Sequence, residues 1–130
     1  MVKISLNDED CGVDTLEELG LFLERLAGIS PCELWLTAEN ESCLCMLRQN
    51  RFSWLMHLRY PGDSGFTSIG NIDVPDKAEF TLSNGQVDEY PIAWCIELET
   101  ALKALSYFGI NEGKRPDFIE WRETRPEDEC

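Results

Sequence analysis

Three consecutive runs constrain this chain most: Glu33 to Ala38, Cys43 to Gln49 and Phe52 to Tyr60, separated only by AENES and by Asn50 and Arg51. Strands joined by connections this short must be antiparallel, because a parallel crossover needs a dozen residues or more. The sequence therefore predicts an antiparallel meander. Side chains alternate along a strand, so in the third run Trp54, Met56, Leu58 and Tyr60 share one face and Leu55, His57 and Arg59 the other. One of these faces reads as packed and the other as mixed, with His57 partly exposed beside Arg59.

The flanking segments supply further elements. Val2, Ile4 and Leu6 alternate around polar residues and predict a short first strand. Asp14, followed three residues later by Glu17, reads as the capping start of a helix. Leu16, Leu19, Phe22, Leu23 and Leu26 form its apolar face, Gly20 permits close packing against a strand, and Gly28 offers a left-handed end. Beyond the turn-rich PGDSG at 61–65, Phe66 to Ile69 reads as a strand and GNIDVPD as an irregular loop. Ala78 to Leu82 and Val87 to Cys95 flank an Asn-Gly turn and predict a hairpin, with Pro91 marking an edge or a bulge. Glu97 to Phe108 has helical spacing of Leu98, Ala101, Leu102, Leu105 and Phe108, with Gly109 as its stop, and Phe118 to Trp121 reads as a last strand. The expected fold is α+β: a single domain over 1–130, mainly an antiparallel sheet of six or seven strands, two principal helices and a frayed acidic tail at 123–130.

Charge limits the function. The 130 residues carry 11 Lys and Arg against 25 Asp and Glu, a formal net charge of −14. The excess is spread along the chain, with 5 basic and 11 acidic residues in 1–65 and 6 and 14 in 66–130. Such a field repels phosphate backbones and anionic lipids, which argues against direct nucleic-acid or membrane binding and favours a basic protein partner. MVKISLNDED lacks the apolar core of a secretory signal, and the six cysteines have no repeated spacing. A cytoplasmic protein with reduced thiols is the expectation.

A search for catalytic chemistry gives little. His57 is the only histidine and falls within a strand. Cys43 and Cys45 share a strand face and, with Cys11, Cys32 or His57, could complete a tetrahedral zinc site, but the spacing lacks the paired CxxC pattern of structural zinc. Gly62, Gly65 and Gly70 form no phosphate loop, because no GKS or GKT follows. Trp35, Trp54, Trp94 and Trp121 suit either a core or an interface anchor. No catalytic residue, metal, cofactor or small-molecule substrate is assigned.

Four features in order carry a resemblance: GDSGF at 62–66, NGQVDEYPI at 84–92, IELETALKALSYF at 96–108 and GKRPDFIEW at 113–121. Together they cover roughly residues 52–122. The segment resembles the first-numbered immunity-protein family of bacterial polymorphic toxin systems, above all in the helix followed by Gly-x-Arg-Pro and a strand ending in Trp. The resemblance implies an α+β protein encoded beside a toxin, often one with a nucleic-acid deaminase domain, which it neutralises by binding. It implies neither enzymatic activity nor a cofactor. Gly65, Gly85, Arg115, Pro116 and Trp121 then read as fold determinants, with Arg115 bonding helix-end carbonyls and Trp121 capping the core.

An enzyme that attacks nucleic acid presents a basic groove, and a compact acidic protein can occupy it. The expected contacts with such a toxin domain are Asp63, Phe66, Asp73, Asp76, Asp88, Glu89 and Tyr90, acids for steering and aromatics for anchoring. Two other classes fit the same sequence: an acidic adaptor with several partners and no toxin, or a small thiol or zinc enzyme built on Cys43, Cys45 and His57.

Overall fold

The computed structural model describes residues 2–70 and 73–123. Its strands are β1 (Lys3–Leu6), β2 (Glu9–Cys11), β3 (Cys32–Thr37), β4 (Cys43–Gln49), β5 (Phe52–Leu58), β6 (Phe66–Ser68), β7 (Lys77–Thr81), β8 (Val87–Pro91) and β9 (Trp121–Glu123). Helix α1 (Leu16–Leu26) follows β2, and α2 (Leu98–Ile110) follows a 3-10 turn at Ile92–Trp94. Seven strands form one antiparallel sheet in the order β2-β1-β3-β4-β5-β6-β9, and β7 pairs with β8 in a separate hairpin. The fold is α+β, as the sequence predicts, with the meander β3–β4–β5 at its centre.

Alternation sorts the side chains of the central strands onto two faces. Leu34, Leu36, Leu44, Met46 and Leu55 pack with Leu19, Phe22, Leu23 and Leu26 of α1 and Ala101, Ala104, Leu105 and Phe108 of α2. The opposite face contributes Cys45, Leu47 and Trp54 to a second cluster, closed by Ala78 and Phe80 of β7. The third run of the meander is therefore packed on both sides, because helices and hairpin each take one. His57 is 4% exposed, inside the helical layer, and not the partly exposed residue the sequence suggests.

Several ends and approaches differ from expectation. Thr15, not Asp14, caps α1: its hydroxyl accepts the Glu18 N–H (3.1 Å), while the Glu18 carboxylate reaches back past the cap to accept the Asp14 N–H (3.3 Å). Gly28 is not among the glycines at positive φ. The end of α1 is satisfied instead by Arg48, whose Nη1 donates to the carbonyls of Leu26 (3.2 Å), Ala27 (2.7 Å) and Ile29 (3.0 Å). Gly20 has open space where a side chain would stand, whereas a Cβ at Gly109 would meet Leu19 Cδ2 at 2.5 Å. Gly109 thus lies inside α2 at its closest approach to α1, and the helix ends after it, where the backbone turns left-handed at Glu112 and Gly113.

β8 stops at Pro91, and Trp94 and Cys95 belong to the 3-10 turn and its end. The last strand begins only at Trp121. Glu123, expected in the tail, pairs with Phe66, and the rest of that segment, 124–130 with Cys130, lies outside the described residues.

Two glycine substitutions separate these accounts in urea unfolding. Gly20→Ala should stabilise the protein by about 1 kcal/mol through helix propensity. Gly109→Val should destabilise it by about 1–3 kcal/mol by overpacking the α1–α2 contact.

Candidate functional site

The strand register builds a floor on the face opposite the helices. Trp35, Cys45, Met56, Thr67 and Arg122 stand opposite one another across five neighbouring strands. Behind them Glu33, Leu47 and Trp54 form a second row. The β7–β8 hairpin covers only part of this surface, leaving a cleft of about 730 Å³ with Lys77, Leu82, Asp88, Glu89, Tyr90, Pro91 and Trp94 as its wall.

Polar contacts fix the hairpin over the sheet. The Glu33 carboxylate accepts the Trp35 indole N–H (3.0 Å) with one oxygen, and the Ser83 N–H (3.1 Å) and hydroxyl (3.3 Å) at the hairpin tip with the other. Gln49 Oε1 accepts the Thr81 N–H (2.9 Å). At the hairpin base the Ile92 N–H bonds the Asp76 carbonyl (2.9 Å), and the Ser68 hydroxyl donates to the Trp94 carbonyl (2.8 Å). The hairpin thus runs across the strands, its tip at β3 and its base at β5 and β6. Gly85 sits in the tip at φ 87°, with its N–H bonded to the Leu82 carbonyl (2.9 Å).

Rings dominate the deep end of the cleft. Trp54 lies 4.9 Å from Tyr90 and 5.2 Å from Trp94, centroid to centroid, and the Arg122 guanidinium lies 5.6 Å from the Trp94 ring. Tyr90 donates its hydroxyl to Asp88 Oδ2 (3.1 Å), and Gln86 Nε2 donates to Asp88 Oδ1 (2.7 Å), which holds the Asp88 carboxylate in the wall. Glu89 is exposed. The arrangement offers broad aromatic area, carboxylates at its rim and an open mouth, all suited to binding a protein segment.

The expected contact residues separate into groups. Asp88, Glu89 and Tyr90 line the cleft, and Asp73 and Asp76 are exposed in the loop leading into β7. Asp63 and Phe66 lie elsewhere. The Asp63 side chain is 1% exposed and accepts the Arg59 N–H (3.0 Å), Nε (2.9 Å) and Nη2 (3.1 Å). These bonds from Arg59 hold its carboxyl well below the usual range against the opposing effect of burial. Phe66 pairs with His57 on the helical side of the sheet and takes two guanidiniums, Arg115 at 4.1 Å and Arg59 at 5.0 Å from its centroid. Arg115 therefore stacks on a ring instead of bonding helix-end carbonyls, the part that Arg48 plays.

The other shared-motif residues join the same region. Gly65 has φ 80°, and a Cβ there would stand 2.8 Å from the His57 carbonyl oxygen, so a side chain is strained and crowded at once. Pro116 is fully buried, and its carbonyl accepts the Trp121 indole N–H (2.8 Å). His57 lies between Phe108 (6.0 Å) and Trp121 (6.3 Å), and its Nε2 donates to the Gly113 carbonyl (3.3 Å). Burial lowers its pKa, because a charged ring would need a second acceptor at Nδ1, which has none among the described residues.

The thiols do not converge with this histidine. Cys45 lies opposite Met56 on the cleft face, whereas His57 lies opposite Leu44 on the helical face. Cys32 belongs to the helical core, where burial pushes its thiol up to about 12, and burial raises Cys45 as well. Alternation thus divides the groups that a zinc or thiol site on Cys43, Cys45 and His57 would need to unite.

Sequence reasoning missed Trp35, Met56, Thr67 and Arg122 as one row and missed Glu33 as the hairpin's anchor. Period-two alternation groups residues within a strand, but register across five strands is needed to align them. Residues 7–123 match the family model described as Immunity protein Imm1. No curated protein matches the chain.

Asp63→Asn should report the buried ion pair through pH. Because the folded carboxyl has the lower pKa, its stabilisation is complete above the ordinary aspartate value of 3.8 and decays as pH falls below it. Urea unfolding should find the wild type more stable than Asp63→Asn at pH 7, with the gap closing towards pH 2.5. A gap as wide at pH 2.5 as at pH 7 would assign the difference to shape instead of charge.

Proposed function

The chain belongs to the Imm1 family of immunity proteins, and on that premise we propose that it binds one cognate bacterial toxin in the cytoplasm and blocks the toxin's active site or substrate groove. The toxin is a nucleic-acid-targeting domain of the deaminase type, carrying the basic surface that such a substrate requires. The observation that carries this reading is a ring-lined cleft with Asp88 and Glu89 in its wall, on a protein of net charge −14 whose exposed Asp73 and Asp76 precede β7. Carboxylates at a rim steer a basic partner into place, and partly buried rings inside it supply contact area that holds the partner. The protein acts by occupancy, with no chemical step of its own. Nucleic acid, membrane and small-molecule substrate play no part in its binding.

This reading is tested in a bacterial host expressing the C-terminal domain of the protein encoded immediately upstream, with and without this chain. Killing relieved only by this chain supports immunity, and killing that persists in its presence rejects the pairing. With the two proteins purified, reversing the loop charges as Asp73→Lys and Asp76→Lys should slow association several-fold and flatten its dependence on salt, with little change in dissociation. Unchanged association would remove the loop from the interface.

A further inference from the structure

The open floor of the cleft runs beside β8, and β8 pairs with β7 alone among the described residues. The phase of that pairing identifies the backbone groups left over. Thr81 turns its N–H away from β8 to Gln49 Oε1, whereas Leu82 donates its N–H to the Gln86 carbonyl (2.8 Å). Thr81–Val87 is therefore a pair without mutual hydrogen bonds, and two residues further along so is Glu79–Glu89. The N–H and C=O groups of Val87 and Glu89 point out from the free edge, and both residues are exposed.

The edge and the floor agree in length and direction. From Trp35 to Arg122 the floor crosses four interstrand steps, about 19 Å at the usual spacing. The five residues of β8 extend about 17 Å. With the hairpin tip bonded to Glu33 and its base beside Trp94, β8 lies along the floor from β3 towards β9. An extended segment of about five or six residues would fill the same length.

Charge and rings select the kind of segment. Glu33, Asp88 and Glu89 bring three carboxylates to the cleft against the two cations Lys77 and Arg122, and Arg122 already rests a guanidinium over the Trp94 ring. We propose that the cleft receives an extended segment of the cognate toxin bearing arginine or lysine, which adds to the free edge of β8 as a third strand over the floor. This deepens the immunity reading and rests on it. Main-chain bonds to Val87 and Glu89 supply affinity, and alternate side chains of the segment, turned down onto Trp35 and Met56, supply selectivity.

Proline at residue 89 removes an outward N–H that β7 does not use, so it tests the edge while sparing the hairpin. Affinity for the purified toxin domain is measured for the wild type, Glu89→Ala and Glu89→Pro, together with hydrogen exchange of the wild-type amides at 87 and 89, free and bound. The proposal predicts that Glu89→Pro binds at least tenfold more weakly than Glu89→Ala, and that both amides exchange more slowly in the complex. Equal affinity of the two variants, with unchanged exchange in a complex that still forms, would overturn the strand addition and leave the immunity reading in place. Failure of the wild type to bind would overturn both. Should Glu89→Pro unfold, the wild-type exchange rates decide alone.

Discussion

Pairing of β4 with β5 commits both faces of the sheet at once. The same backbone ladder that sends Leu44, Met46 and Leu55 into the helical core sends Cys45, Leu47, Trp54 and Met56 to the other side. A one-residue slip would exchange the two sets, so the helical core fixes the register of the cleft floor. The hairpin is then held over that floor by Glu33 and Gln49, long polar side chains that reach across from β3 and β4.

The two layers serve different ends. On the helical side, His57, Trp121 and Pro116 form one group of ring contact and hydrogen bond, Phe66, Arg59, Arg115 and Asp63 form another of cation–ring contacts and an ion pair, and the pairing of His57 with Phe66 sets the two side by side. Two of the segments that carry the family resemblance, around GDSGF and GKRPDFIEW, meet here. The hairpin side remains partly open, and there the rings and carboxylates face a cleft instead of a core.

Much of the architecture was legible because it depends on local periodicity. The meander, the hairpin and both helices follow from spacing within single segments. What was not legible depends on long-range contact. Gly20 and Gly109 are both helical glycines, and only the packing of Leu19 shows which one permits close approach. Arg48 and Arg115 are both available to cap a helix, and only the sheet brings Arg48 to the end of α1. β2 is a three-residue acidic strand without an apolar pattern, and the delayed start of β9 reflects the turn in which Pro116 is buried. For the site, composition pointed to acids and rings, and of the residues named from it Asp88, Glu89 and Tyr90 come together along one cleft. Asp63 and Phe66 departed from it because their charges and rings already have partners within the fold.

The central claim is that the cleft face, and not the helical face, meets the toxin. A hydroxyl-radical footprint of the complex between this chain and the toxin domain tests it most directly. The account predicts protection of Trp35, Met56, Tyr90 and Trp94, with Leu16, Leu21 and Ile110 on the helices oxidised as in the free protein. Protection of the three helical residues with an unchanged cleft would contradict it.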